Sequence, residues 1–372
     1  VPFRLPSSCV NWTNSSFLTG TAILTLTAVP WYLWNYGVDT FQVLMFLFFC
    51  IATGLSITLG YHRLFAHLSF KASWPVRLLT LAFGAATFEN HAIAWVSDHR
   101  RHHKHVDSDD DPYDISKGFW HAHIGWIMFR RNPEPPWDNV ADLERDTLVM
   151  WQKRYYVLIA TLVSFLLPTF LGWLHGGGNG ALGGFLLSGV ARITTVQHST
   201  FFINSLCHSI GTRPYSTNCS ARDSWFMALF TFGEGYHNYH HEFQHDYRNG
   251  VKWWHWDPTK WTIWTLHKLG LAHGLRQVSD DRIVLAEIAE ARRRLDQRLT
   301  CPHRPLSERV GELLRASDTK LHQLAELWAA GKADFANHTA TQVAHVRAAL
   351  NETRREVRRA LDLLKFADAP FA

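Results

Sequence analysis

Residues Thr40 to His67 read TFQVLMFLFFCIATGLSITLGYHRLFAH. The first 22 carry no charge, and the last six place His62 and His67 just beyond the apolar run. A hydrocarbon core of about 30 Å takes roughly 20 helical residues to cross, so this stretch predicts a transmembrane helix with histidines where it emerges. Working outward, Phe17 to Asn35 is uncharged over 19 positions and pairs with it as a hairpin. Tyr155 to Leu174 is uncharged over 20, and Ala181 to Ile203 is apolar apart from Arg192 and His198. Between those two, His175 to Gly180 (HGGGNG) reads as a turn. The expected fold is an all-α integral membrane protein with four transmembrane helices in two hairpins, at about 17–35, 40–61, 155–174 and 181–203. Residues 62–154 and 204–275 would form a helical cap. The first span lacks a basic leader and is followed at once by another, which favours a span over a signal peptide. Trp74 to Trp95 is apolar but carries Arg77 and Glu89, so a membrane-surface or re-entrant helix is expected there, with a fifth span as the weaker alternative.

Composition and charge agree. The 372 residues are 47% hydrophobic and 19% charged, below the roughly 25% of soluble chains, which excludes a disordered or fibrous protein. Tyr36 to Asp39 and His175 to Gly180 contain no Lys or Arg, whereas residues 62–154 contain 12. By the positive-inside rule that segment, both termini and every histidine cluster face the cytosol. The net charge of +5 is then that of membrane-flanking loops, with no nucleic acid as partner. Five cysteines, odd in number and without CxxC spacing, argue against a disulfide framework or a zinc ribbon. Beyond about residue 275 the composition turns to Ala, Leu, Arg and Glu, and Val343, Val346, Leu350, Val357, Leu361 and Leu364 recur at helical spacing. This divides the chain into a membrane domain, 1–275, and a basic helical appendage, 276–372. The stripe on the appendage would dock an electron donor, pair subunits, lie on anionic lipid or stand exposed.

The 23 histidines are concentrated in HRLFAH (His62, His67), HRRHH (His99, His102, His103) and HNYHH (His237, His240, His241), with Asn204 and His208 in NSLCH. In a helix, positions i, i+3 and i+4 share a face, so each HxxHH presents three imidazoles together; an i, i+5 pair shares a face less neatly. Nine imidazoles exceed what one four- to six-coordinate ion uses, so the count implies two metals. No thiolate joins them, which excludes a site built for copper(I) alone and leaves zinc, iron and copper(II) open. Zinc would act through a bound hydroxide, yet no hydrolase-like general base is visible, whereas iron supports oxidation by O2. Soluble di-iron bundles use Glu with ExxH pairs, so an all-histidine set belongs to another design. His198, inside a span, is expected in a second layer around the metals.

These words together, HRLFAH, WVSDHRRHHKH, NSLCH and GEGYHNYHH, resemble the integral-membrane stearoyl-CoA (acyl-CoA) desaturase family over about residues 12 to 270. DPYDISKGFWHAHIGWIMFRRNP and GEGYHNYHHEFQHDYR extend the resemblance outside the histidines. It implies that His62, His67, His99, His102, His103, His208, His237, His240 and His241 hold two irons, with Asn204 acting through a water. The implied reaction is O2-dependent insertion of a cis double bond, near C9, into a saturated long-chain acyl-CoA. A kinked tunnel would be lined by Asn90, Trp95 and Thr200, with Cys50 and Gly54 at its end. Asp98 and the basic pair Arg130 and Arg131 would serve the carrier. Ser97 replaces an arginine common in animal members, so acyl-carrier protein and lipid-linked chains stay open beside CoA. No haem-binding HPGG word appears, so a separate electron-transfer protein is implied. A hydroxylase or acetylenase on the same scaffold is the sister reading. A histidine-rich metal transporter would instead distribute ionisable groups along the spans.

Overall fold

The computed structural model describes residues 10–129 and 136–299, together with scattered positions between 312 and 355. It forms two compact units, Val1–Thr212 with Cys219–Gln277, and Arg213–Asn218 with Val278–Ala372.

In the first unit α1 (Trp12–Tyr36) starts at Asn11, whose side chain accepts from the Asn14 backbone N–H. Helix α2 (Thr40–Leu55) opens on a capping box: Asp39 Oδ1 accepts from Gln42 N at 2.9 Å, and the Asp39 N–H donates to Gln42 Oε1 at 3.3 Å. Its helical path continues as a π-helix, Ser56–Ala66. Among the described residues three helical runs are long and apolar enough to cross a membrane: Trp12–Tyr36, Thr40–Ala66 and Tyr156–His208. The last, of 53 residues, was expected as two spans and does reverse direction, at Gly176 and Gly177. Gly177 has φ +57°, a conformation that favours glycine. The two arms then pack backbone to backbone, for a Cβ at Gly172 would fall 2.1 Å from Gly180 O, and one at Gly184 2.2 Å from Pro168 O.

The apolar stretch from Trp74 breaks into α3 (Trp74–Ala85) and α4 (Ala92–His105). Twelve residues of α3 rise about 18 Å, too short for a core of about 30 Å, so the fifth-span alternative fails. The break contains two residues at positive φ, Phe88 and Asn90, and is held from the long run. Arg192, fully buried, donates from Nη1 to Ala86 O at 2.7 Å and from Nε to Ser188 O at 3.1 Å. Ser164 Oγ also donates to Ala86 O (2.7 Å), and Gln197 Nε2 to Thr87 O (3.0 Å). A cation at the carbonyl end of α3 complements its dipole, which accounts for a costly arginine inside an otherwise apolar segment. Tyr61, Leu81, Ile93, Val96, Val149 and Ile263 form the core that joins α2, α3 and α4 to the later helices. One antiparallel ladder, Lys71–Ala72 with Ala272–His273, ties the segment after α2 to the end of the unit.

In the second unit the helix Asp280–Leu299 carries Glu290, which is buried and accepts from Arg293, Arg294 and the Thr217 backbone N–H. The stripe from Val343 to Leu364 lies outside the described residues.

Candidate metal centre

The nine clustered histidines converge as two groups. One comprises His62, His67, His99, His103 and His240, the other His102, His208, His237 and His241, and within each the ring nitrogens lie within 4.8 Å of one another. Four elements supply them: the π-helix after α2, α4, the turn Leu206–His208 closing the long run, and the short helix His237–Glu242. The π-helix resolves the awkward HxxxxH spacing. In an α-helix five residues overshoot a full turn by roughly 140°, but a π-helix closes its hydrogen bonds at i→i+5 and brings such a pair onto one face. The bond from His67 N to His62 O, 3.0 Å, is of that kind.

The inward nitrogens are closely spaced. His62 Nε2 is 3.0 Å from His240 Nε2, His67 Nε2 is 2.8 Å from His99 Nε2, and His103 Nε2 is 2.9 Å from His240 Nε2. In the second group His237 Nε2 lies 3.1 Å from both His208 Nε2 and His241 Nε2, and His102 Nε2 lies 3.2 Å from His241 Nε2. Ligands about 2.1 Å from a shared ion stand no more than about 4.2 Å apart, so these close nitrogens would be near enough to share one. Burial, reinforced by the surrounding imidazoles, holds His67, His99, His103, His237, His240 and His241 well below the usual histidine range. Neutral rings with free lone pairs are what a metal requires.

Outward nitrogens are held as well. Asp111 Oδ1 lies 2.8 Å from His102 Nδ1, and Glu234 Oε2 lies 3.0 Å from His62 Nδ1. His208 Nδ1 is 2.7 Å from Ser220 Oγ, whose hydroxyl donates to Asp107 Oδ1 at 2.5 Å. A proton fixed on Nδ1 leaves the Nε2 lone pair pointing inward. Glu234 is itself embedded, accepting from Arg63 Nη2 (2.8 Å) and Asn249 Nδ2 (2.6 Å), while Arg63 also donates to Asp257. Burial opposes a charge on Glu234, but Arg63 and His62 draw it below the usual carboxylate range; His102 does the same for Asp111. Neither carboxylate was singled out from the sequence, although Asp111 lies in DPYD and Glu234 in GEGYHNYHH.

A cavity beside the nitrogens is lined by Ile57, Thr58, Trp126, Ile127, Phe201 and Ile203, and it reaches His62, His99 and His237. Trp95, Thr200 and Asn204 also line it, as does Glu89, which sequence reasoning passed over. Trp95 stacks on His99, centroids 4.9 Å apart, and its Nε1–H donates to Glu89 Oε2 at 3.4 Å. The Thr200 hydroxyl donates to Glu89 Oε1 at 3.0 Å. Asn90 and Asp98 are not in this lining: Asn90 is exposed, its N–H donating to Tyr156 Oη, and Asp98 is half-buried on α4. Cys50 and Gly54, expected at the tunnel end, do not line it either. The ring of Phe232 occupies the space beside Gly54, where a Cβ would fall 2.3 Å from Cε2. Ser97 Oγ donates to Asn139 Oδ1 at 2.8 Å inside the fold. His198 pairs with His123 (3.0 Å) and belongs to neither group of nitrogens. Arg130 and Arg131 lie outside the described residues.

Membrane-length apolar helices, with a largely apolar cavity lined by histidines of both groups, fit a membrane protein with a histidine-rich metal centre. The chain belongs to the fatty acid desaturase family, whose model matches residues 39–273. It is 38% identical over 294 residues to acyl-CoA desaturase 1 of Saccharomyces cerevisiae, covering 78% of this chain and 56% of that protein. It is 38% identical over 290 residues to the probable acyl-CoA desaturase of Schizosaccharomyces pombe, covering 77% and 59%. The chain thus spans little more than half the length of these two relatives. With stearoyl-CoA desaturase 4 of Mus musculus it shares 35% identity over 274 residues, covering 72% of this chain and 74% of that one.

Proposed function

We propose that this chain is an O2-dependent acyl-CoA desaturase that introduces a cis double bond near C9 of a saturated long-chain acyl group. The observation that carries the reading is the convergence of nine imidazoles in two groups, both of which reach a largely apolar cavity through His62, His99 and His237. His62, His67, His99, His103 and His240 would hold one iron, and His102, His208, His237 and His241 the other, with Asn204 near the four-histidine set contributing through a water. When bound, the irons supply the oxidising power that removes hydrogen from unactivated methylenes. The reaction balances as two hydrogens from the acyl chain, O2, two electrons and two protons giving one double bond and two waters.

The chain's own residues do the positioning. An alkyl chain offers no polar handle at the bond to be oxidised, so its register must come from the shape of the cavity. Trp95, locked between His99 and Glu89, and Thr200, anchored on Glu89, form a rigid wall beside the nitrogens. The carrier would be a CoA head group served by Arg130, Arg131 and Asp98, and electrons would come from a separate protein. The reversal at Gly176 and Gly177 supports reading Tyr156–His208 as two crossings, hence four in all, with the histidine end and both termini in the cytosol. Mass spectrometry of acyl chains from cells expressing the protein, beside a His240→Ala control, tests this. New monounsaturated chains lost in the control are expected; hydroxylated or unchanged chains despite bound iron would refute it.

A further inference from the structure

The surface beside α2 carries aromatic side chains that neither the nitrogens nor the cavity uses. In the six-residue helix Trp225–Phe230, Met227 and Ala228 face inward, while Trp225, Phe226, Leu229 and Phe230 are 70, 54, 44 and 54% exposed. No charged residue occurs from Trp225 to Gly233. Helix α2 provides a depth scale, because its start is marked by Asp39 and the ion pair from Asp39 to His175, 2.9 Å. At about 1.5 Å per residue, Gly54 lies roughly 21 Å and Thr58 roughly 27 Å from Thr40, both inside a core of about 30 Å. Phe232 rests on Gly54. Thr58 Oγ1 is 2.7 Å from Thr259 Oγ1, and the Thr259 hydroxyl donates to Phe232 O at 2.9 Å. The chain after Phe230 therefore sits at hydrocarbon depth, although helix Trp225–Phe230 is too short to cross, and Thr259 marks where the next helix begins near the edge of that core.

The neighbouring rim differs in character. Trp261, Trp264 and Lys268 share one exposed face of helix Pro258–Lys268, and Trp253, Trp254 and Trp256 stand exposed before it. The Lys252 and Lys268 ammonium groups each lie 5.3 Å from an indole centroid, of Trp254 and Trp264 respectively. Indoles interleaved with lysines suit a head-group layer, where the rings sit at the boundary and the ammonium groups reach water and phosphate.

We propose that this surface is a lipid-embedded collar, with Trp225–Phe232 among the acyl chains and the Trp253–Trp264 rim at the head groups of the same leaflet. The occupant is membrane lipid, because Phe232, two residues past the exposed helix, packs on Gly54 of α2 and no charge occurs from Trp225 to Gly233. Residues 204–275, expected as a water-facing cap, are thereby divided between water and bilayer.

The test replaces Phe226, Leu229, Leu47 or Asp109, one at a time, with the photo-crosslinking residue p-benzoylphenylalanine in the full chain in cell membranes. Leu47, 46% exposed on α2, reports the span, and Asp109, whose side chain is fully open, reports water. Phospholipid adducts by mass spectrometry as abundant at Phe226 and Leu229 as at Leu47, with none above background at Asp109, are the expected result. Adducts at Leu47 with none at Phe226 and Leu229, or protein adducts at those two, would overturn the collar. Loss of adducts at Leu47 as well would overturn both it and the spanning assignment of α2. Because the readout is lipid capture, it stands apart from whether the chain desaturates acyl-CoA.

Discussion

Glu89 is a carboxyl that burial keeps protonated, its pKa pushed up to about 8 from 4.5, with the hydrogen bonds to Thr200 and Trp95 opposing only part of that rise. Trp95 Nε1–H donates to one carboxyl oxygen and the Thr200 hydroxyl to the other. A Glu89→Gln variant keeps the shape of the side chain and cannot ionise. The sign follows from linkage: the unfolded carboxyl loses its proton near 4.5 and the folded one near 8, so stability falls as pH rises between those values. The 2.5 units between 4.5 and pH 7 correspond to about 3 kcal/mol, and the full 3.5 units above pH 8 to about 5 kcal/mol. Denaturation of the two proteins at pH 6, 7, 8 and 9 should show Glu89→Gln more stable by a margin that grows with pH and levels off beyond 8. Desaturation by the parent should also fall above pH 8 while the variant lacks that limb. A stability difference that does not change with pH, or an alkaline limb shared by both, would falsify the reasoning.

Glu234→Gln removes the carboxylate behind His62 and should lower iron affinity about 10–100-fold by metal titration, and it leaves Arg63 with only Asp257 as acidic partner. Asp111→Asn should weaken iron binding by a similar factor through His102, without the stability loss of Glu234→Gln, because Asp111 has no arginine partner among the described residues. Gly54→Ala drives a methyl into the Phe232 ring and should cost about 1–3 kcal/mol in thermal denaturation, partly recovered by Phe232→Leu. Arg192→Met removes one of the two donors to Ala86 O, leaving Ser164 Oγ, and should loosen the α3–α4 break, seen as faster amide exchange at residues 86–91.

Apolar length and histidine spacing carried far in the sequence because both depend on local periodicity. Twenty uncharged residues have to cross something, and HxxHH has to share a helical face. What escaped depends on tertiary context. HxxxxH looked poorly matched to an α-helix, and no residue in HRLFAH announces the π-helix that makes it work. Gly54 was expected at the end of the tunnel, yet a glycine marks close approach as readily as a void, and the fold brings Phe232, 178 residues later, onto it. Glu89 looked like a surface charge interrupting an apolar stretch; its burial depends on Thr200 and Trp95 arriving from two other helical segments. Asn90 was grouped with Trp95 by its place in a motif, but a positive φ turns it outward.

The histidines of a single helix are shared between the two nitrogen groups. Helix α4 gives His99 and His103 to one and His102 to the other; His237–Glu242 gives His240 to the first and His237 and His241 to the second. Two rods of fixed pitch therefore act as a ruler, so that twisting either one displaces ligands at both ends of the measure at once. Soluble di-iron proteins use carboxylate-rich ligand sets to hold their ions together. Here the gauge would be the backbone, which couples the two groups through α4 and His237–Glu242 while His62, His67 and His208 each belong to one group alone.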